Sequence, residues 1–380
     1  MEPNALSAAL DALRREGGVY LDMTVSNPTR CGFQYPEQEI LAALAGPEVL
    51  AYQPDSRGQT AAREAVAGYL GHGLGANDLI LTASTSEAYS WLFKLLCDPG
   101  DEVLVPSPSY PLFQWLAALE GVAAVTVPAI QHERWNLDLP GLEAACNHRT
   151  RAVVVVNPNN PTGHFLSREE WAGLLSFCAS RGLALLVDEV FGDYALEPGA
   201  DRLPTALETR DPGCPLFVLS GLSKIAALPQ IKLGWIAAVG AQARTLLDSL
   251  SFIADQYLSV SASAQAAAPE LLRLAPAIQS GILARMRDNL AALDRVLVPC
   301  PHLTRLPVEG GWSVLLRRPA VDPGEECALR LLRSAQVYVH PGHYFDLPGD
   351  GYLVLSLLPP TEVFREGITR IVAALEEKAG

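Results

Sequence analysis

The sequence has little lysine and lacks long hydrophobic runs, paired-cysteine motifs and an excess of positive charge. Its formal net charge of −14 argues against a partner with a phosphate backbone, because nucleic-acid binders need a basic face. No apolar stretch approaches the ~20 residues of a membrane-spanning helix. The first residues show neither the basic stretch nor the apolar core of a secretion signal. We therefore expect a cytoplasmic protein with no nucleic-acid or membrane partner.

Cysteine is present, but not in a pattern that indicates bridges or metal ligands. The seven cysteines are odd in number and scattered, and no two have C-x-x-C spacing. We expect them to be reduced thiols, as is usual in the cytosol.

Lysine is rare in this sequence, so each lysine residue is of interest. Only four of the 28 basic residues are lysines, and the other 24 are arginines. A drift in base composition that left lysines at four random positions would explain the low number of lysines as readily as selection does. Lysine differs from arginine in one relevant respect, because its amine can lose its proton and form a Schiff base. Any lysine next to other polar motifs is therefore a candidate for covalent chemistry.

The order of elements predicts an α/β protein. With 380 residues, of which 49% are apolar and 18% charged, the chain is long enough for two domains with a large core. From about residue 40 to 280, helical patterns alternate with short apolar runs such as 152–156, which is typical of buried parallel strands. After about residue 285, short strands alternate with helices, which indicates a smaller α+β domain.

Polar residues follow three of the predicted strands directly. These are the stretch Asn157–Gly163, the pair Asp188-Glu189 and the stretch Ser220–Lys224. Taken singly, each reads most simply as a turn. Ligands of open parallel sheets bind beyond the carboxyl ends of the strands, so three such stretches in succession predict one common site.

The same three stretches resemble the class I/II aminotransferases, which are pyridoxal-phosphate (PLP) enzymes of fold type I. The similar motifs are NPNNPTG, VDEVFGDY and SGLSKIAALPQIKLGW, with TASTSEA, PGDEVLVP, PSYP, EGG and PGHYF elsewhere. The resemblance implies a mostly parallel sheet with helices on both faces. It further implies a large PLP-binding domain at 40–285, a small domain built from residues 1–39 and 286–380, and a homodimer with a shared active site.

The resemblance also implies roles for two central residues. Lys224 would form the Schiff base with PLP and then, once freed, move the substrate proton. Asp188 would keep the pyridine nitrogen protonated, so that the ring can accept electrons. The remaining cofactor contacts implied are Asn160 to the ring oxygen, Tyr110 on the ring face, Ser84, Thr85, Ser86 and Lys232 at the phosphate, and Tyr52 at the phosphate of the neighbouring subunit.

Four positions depart from the family pattern. Phe191 replaces a tyrosine that donates to the ring oxygen, and Gly221 replaces a serine for which Ser220 or Ser223 would compensate. Lys232 stands where the family has a phosphate-binding arginine, which keeps the charge but loses the bidentate geometry. Val354 falls at the arginine that binds the substrate carboxylate.

The loop 26–33 offers a replacement cation. It is dense in turn formers and lies where the N-terminal segment of the family folds over the substrate, so Arg30 and Asn27 are candidate substrate-binding residues; a solvated loop charge is the simpler interpretation. His340 and His343 have metal-like spacing, but they lie in the PGHYF segment that forms a turn in the family, and we predict no metal.

The favoured function is transfer of an amino group between an amino acid or amine and an oxo acid. Val354 and Phe191 keep a different PLP reaction open, namely elimination, decarboxylation or cyclisation at the α or β carbon. A non-catalytic PLP-binding protein is a third reading, but the chain retains Lys224, Asp188 and Asn160. The sequence does not name the substrate.

Overall fold

A seven-stranded sheet forms the centre of the molecule. The computed structural model describes residues 4–196, 199 and 201–379. The strands of the sheet are β1 (Leu79–Thr82), β2 (Glu102–Ser107), β3 (Ala123–Pro128), β4 (Thr150–Val156), β5 (Ala184–Asp188), β6 (Leu216–Gly221) and β7 (Gly234–Val239). Their spatial order is β1-β7-β6-β5-β4-β2-β3. Strand β7 is antiparallel to both neighbours, and the other pairs are parallel.

Both faces of this sheet are buried, as the apolar runs predict. In β4, Val153 and Val155 pack into one hydrophobic core, whereas Ala152 and Val154 pack into another on the opposite face. Alternation of this kind follows from the two-residue period of a strand. Successive apolar side chains from 152 to 156 therefore serve both cores, and the predicted α/β class with helices on both faces is confirmed.

Some of the helices that cover the sheet begin at side-chain caps. The Ser167 side chain accepts from the Glu170 N–H, and the Glu170 carboxylate accepts from the Ser167 N–H, which is the capping box that the sequence predicts. No described helix is long and apolar enough to cross a bilayer. The α-helices in the described part of the chain are Ala5–Arg15, Glu37–Leu44, Thr60–Leu70, Thr85–Leu96, Phe113–Leu119, Leu139–Ala145, Arg168–Arg181, Leu222–Ile225, Gly240–Thr245, Leu247–Asp255, Ala262–Leu297, Gly324–Arg330 and Thr361–Ala379.

A second, four-stranded antiparallel sheet lies near the C-terminus. Its strands in spatial order are Thr304–Arg305, Ser313–Arg317, Tyr352–Ser356 and His340–Pro341. The core on this sheet includes Leu6 and Leu10 from the N-terminal helix together with Phe364 and Ile368 from the C-terminal helix. Both ends of the chain therefore contribute to the same core.

The long helix Ala262–Leu297 joins the two parts of the molecule. Its residues from Ala264 to Ala275 pack into the core of the large sheet, and those from Ile278 to Leu293 pack into the core of the small sheet. The predicted boundary at residue 285 lies inside this continuous helix. Division into domains at 40 and 285 therefore stays a prediction.

Candidate active site

A cavity of about 440 Å³ lies at the carboxyl ends of β4, β5 and β6 and extends to the small sheet. The three polar stretches identified in the sequence all reach it, because parallel strands end at the same edge of the sheet. The predicted site residues that line it are Ser84, Thr85, Ser86, Tyr110, Asn160, Asp188, Ser223, Lys224 and Lys232. The structure therefore assembles residues that are up to 148 positions apart in the chain.

Asp188 is the last residue of β5 and is only 6% exposed. Its Oδ1 accepts from the Val190 N–H at 3.0 Å, and its Oδ2 accepts from the Tyr89 hydroxyl at 3.0 Å. Burial raises the pKa of Asp188 to about 6, although both hydrogen bonds and the nearby Lys224 charge favour the ionised form. A buried carboxylate held by two neutral donors is suited to pair with a cationic ligand group.

Lys224 lies in the short helix Leu222–Ile225 that follows β6. Its Nζ is 5.0 Å from the centroid of the Trp312 ring and 5.7 Å from that of Phe191. Burial lowers the pKa of Lys224, and the charge of Asp188 opposes this shift. The Lys224 carbonyl accepts from the Tyr194 hydroxyl at 2.6 Å, which fixes the backbone that carries the amine. A held amine with a lowered pKa is a better nucleophile than an exposed one.

One end of the cavity is built to receive an anion. Ser84 caps the helix Thr85–Leu96, its Oγ accepting from the Glu87 N–H at 3.2 Å. Thr85 and Ser86 form the first turn of that helix, where free N–H groups favour negative charge. Lys232 lines the same cavity and has a backbone φ of 62°, which is unusual for a residue other than glycine.

Asn160 lies in the loop after β4 and is held from the small sheet. The Ser313 hydroxyl donates to its Oδ1 at 3.3 Å, which leaves the amide NH₂ of Asn160 to donate. Tyr110 is 42% exposed, and its ring packs edge-on against Phe113 with centroids 6.4 Å apart.

The structure explains why position 221 is a glycine. Gly221 pairs with Gly234 across β6 and β7, and a Cβ on Gly221 would lie 2.9 Å from both the Gly234 Cα and the Leu233 carbonyl oxygen. A serine cannot be placed here without moving the backbone. Of the two serines expected to compensate, Ser223 lines the cavity, whereas the buried Ser220 donates to the Glu189 carbonyl at 3.4 Å.

The wall on the side of the small sheet is largely apolar and aromatic. Trp312 and Phe191 pack edge to face, with centroids 5.4 Å apart. Val354, in the strand Tyr352–Ser356, is 3% exposed and lines the cavity. His340 pairs with Val354 across the sheet, and burial lowers the pKa of its imidazole.

An ion-pair cluster holds the chain segment that leads to Trp312. Arg134 contacts Glu170 at 3.2 Å and Glu309 at 3.3 Å, and the Glu309 carboxylate accepts from the Phe165 N–H at 2.7 Å. The cluster joins elements that lie before and after the long helix, so it fixes the apolar wall relative to the large sheet.

Three predicted residues lie outside this cavity. Tyr52 is 81% exposed and borders a separate cavity of about 260 Å³. Asn27 accepts from the Thr29 N–H at 3.1 Å and so caps the turn Pro28–Arg30. Arg30 is exposed and does not line the cavity, so the structure does not bring the expected substrate cation to the site.

Sequence reasoning missed several residues that shape the site, namely Tyr89, Tyr194, Trp312 and Ser313, and it considered His340 only as a metal ligand. Tyr89 precedes Asp188 by 99 positions, and its contact depends on packing of the helix Thr85–Leu96 against the sheet. Trp312 had a signal, because it directly follows the Glu-Gly-Gly motif.

The chain is similar to the proteins of one known family over a span that includes the whole cavity. A family model described as aminotransferase class I and II matches residues 18–371. The glutamate-pyruvate aminotransferase AlaA of Haemophilus influenzae is 26% identical, with 96% of this chain and 93% of that protein covered. The alanine aminotransferase of Mycobacterium tuberculosis is 29% identical, over 94% and 86%.

The fold agrees with these matches. The structure of an alanine aminotransferase from Pyrococcus furiosus has a TM-score of 0.88 and 26% identity, with 98% of this chain and 96% of that chain covered. Every residue that lines the cavity falls within the span that the family model matches.

Proposed function

The chain belongs to the class I and II aminotransferases, and we propose that it transfers an amino group between an amino acid or amine and an oxo acid using PLP held at Lys224. The arrangement that supports this best is the presence of a half-buried amine, Lys224, and a buried carboxylate, Asp188, in one cavity whose end is a helix N-terminus.

The described residues fit each functional group of PLP. Its phosphate matches the first turn of the helix Thr85–Leu96 and the Lys232 charge. Its ring nitrogen matches Asp188, because a carboxylate in a buried position gains most from a cationic partner. The other matches are Lys224 for the aldehyde, Asn160 for the ring oxygen, Tyr110 for the ring face and Ser223 beside the phosphate.

PLP, when bound, supplies a ring that accepts the electron pair released at the substrate carbon. The residues of the chain would hold the cofactor and move the proton. Asp188 keeps a proton on the ring nitrogen, and Tyr89 and the Val190 N–H hold this carboxylate in place. Lys224, as a free amine, would hold and move the proton of the substrate carbon, because its lowered pKa suits a general base.

The direct test is to locate the covalent link. Borohydride should fix the cofactor to Lys224, and mass spectrometry should find the adduct on the peptide 220–232. Lys224→Ala should abolish the adduct and reduce turnover to background. Lys232→Ala is the matched control, because it removes a lysine from the same cavity and should keep the adduct. An adduct on Lys232 in the Lys224→Ala variant and in the unmodified chain would refute the assignment.

We further propose a cytoplasmic homodimer in which Tyr52 contacts the phosphate in the partner subunit. The exposure of Tyr52, at 81% in the single chain, supports this role because a side chain that reaches a neighbouring subunit is exposed when that subunit is absent.

Two of the relatives are named for alanine or for glutamate and pyruvate, which makes small amino acids the first substrates to assay.

A second PLP reaction stays an alternative because of the apolar wall. Val354 and Phe191 occupy positions where the family has polar substrate and cofactor contacts, so elimination, decarboxylation or cyclisation is the competing proposal. Release of an oxo product from the amino donor, with conversion of the cofactor to its amino form, supports transamination. Turnover without an oxo acceptor supports the alternative, and binding with neither outcome supports a non-catalytic protein.

A further inference from the structure

We propose that the preferred substrate is a primary amine whose amino-bearing carbon carries no carboxylate and whose other substituent is apolar or aromatic. This inference rests on the proposed function and names its substrate class. The observation behind it is the distribution of charge around the cavity.

The cations of the cavity are already assigned to the cofactor. Among the described residues that line it, the lysines are Lys224 and Lys232, and no arginine lines it. Under the proposed function, the first would hold the aldehyde and the second would bind the phosphate. His340 is the other basic group in the lining, and burial lowers the pKa of its imidazole, which leaves it neutral near pH 7.

Among the described lining residues of one subunit, a carboxylate on the reacting carbon would therefore meet no free positive charge. It would lie in a cavity with an apolar wall made by Val354, Trp312 and Phe191. An anion removed from water without a cationic partner is strongly destabilised. A neutral apolar group at the same place gains from burial instead.

Three hydroxyl groups that line the cavity already have acceptors within the chain, and a neutral hydroxyl carries no charge to replace a cation. Ser313 donates to Asn160, and the Ser356 hydroxyl donates to the Val25 carbonyl at 2.6 Å. Thr24 donates to the Asp22 carboxylate at 2.7 Å. Each of these protons is already directed to an acceptor in the chain, so a substrate carboxylate would have to displace an existing hydrogen bond.

The reaction balances without a carboxylate on that carbon. The amine gives up its amino group and becomes an aldehyde or ketone, and the carbonyl of the acceptor becomes the new amine. If the acceptor is an oxo acid, its carboxylate lies away from the carbonyl carbon.

The first experiment compares amino acids with the amines that decarboxylation would leave. The holoenzyme is mixed with L-phenylalanine or 2-phenylethylamine, and with L-norvaline or butylamine, and single-turnover conversion is followed by the absorbance of the bound cofactor. We expect each amine to react at least ~10-fold faster than its amino acid. Equal rates, or faster reaction of the amino acids, would overturn the substrate class and leave the proposed function intact. Conversion by none of the four would count against both.

The second experiment measures binding without reaction. The probe is 3-phenylpropanoate, which is phenylalanine without its amino group, and the readout is the thermal shift of the holoenzyme. Val354→Arg should increase its affinity at least ~10-fold and should favour L-phenylalanine over 2-phenylethylamine. Val354→Leu is the matched control, since it adds volume without charge. Equal binding by the unmodified chain and Val354→Arg would overturn the proposal, and the amine comparison decides the matter if Val354→Arg does not fold.

Discussion

The two sides of the cavity differ in how they are made. The side at the end of the large sheet is polar and tightly held: Asp188 has two donors, and Tyr194 fixes the backbone of Lys224. The side at the small sheet is apolar, with Val354 and Trp312 nearly fully buried. The proposed cofactor contacts lie on the polar side, and Val354 and Phe191, where the sequence pattern differs from the one that the resemblance implies, lie on the apolar side. If the proposals above hold, cofactor chemistry and substrate choice depend on different elements of the fold.

On the polar side of the cavity, loss of the Asp188 carboxylate should cause a larger fall in turnover than the other substitutions described below. Asp188→Ala should reduce turnover by roughly 10²–10³-fold, because the charge that holds the ring nitrogen protonated is removed. Steady-state kinetics under saturating cofactor would measure this. Glu189→Gln is the matched control: Glu189 is buried too, with a pKa raised by burial to about 7, but its carboxylate accepts from Thr205 and the Ala206 N–H. Near-normal turnover of Asp188→Ala would show that the polar side does not control the reaction.

Changes at Lys232 should affect cofactor affinity more than turnover. Lys232→Ala should weaken PLP binding by about 10–100-fold, since a charged hydrogen bond contributes roughly 1.5–3 kcal/mol. Lys232→Arg should retain most of the affinity, because the charge is kept. Titration of the apoenzyme with PLP, followed by absorbance, distinguishes these variants. Unchanged affinity in Lys232→Ala would place the phosphate elsewhere in the cavity.

Removal of the Tyr89 hydroxyl should produce a smaller, pH-dependent effect. Tyr89→Phe deletes a donor that favours the ionised form of Asp188, so the pKa of Asp188 should rise above about 6. Activity requires the ionised carboxylate. The acidic limb of the pH–rate profile should therefore move to higher pH, with little change above pH 8. An unshifted profile would make Tyr89 a packing residue only.

Arg30→Ala should have almost no effect. Arg30 is exposed and outside the cavity lining, so KM for amines and for carboxylate substrates should change by less than ~2-fold. The cofactor spectrum should stay the same. A tenfold rise in KM for carboxylates alone would restore Arg30 as the substrate cation and would contradict the charge distribution on which the amine preference depends.

Much of the fold was predictable because local patterns and tertiary structure agree. The apolar run in β4 serves two cores at once, and the capping box at Ser167 and Glu170 is formed as the spacing predicts. The polar residues after β4, β5 and β6 converge because parallel strands end at one edge. No local pattern marks the predicted domain boundary in this way, because one uninterrupted helix passes through residue 285 and contributes to both cores.

The sequence by itself determined the α/β class, the family resemblance and the positions of Lys224, Asp188 and Asn160, because each depends on residue type and spacing along the chain. Only the tertiary structure decided that Tyr89 holds Asp188, that Gly221 is required by the close approach of Gly234, and that Ser223 rather than Ser220 reaches the cavity. It also placed Arg30 away from the cavity and Val354 in its wall. These facts depend on distances between elements distant in sequence, and such distances are set by packing, which no local pattern encodes.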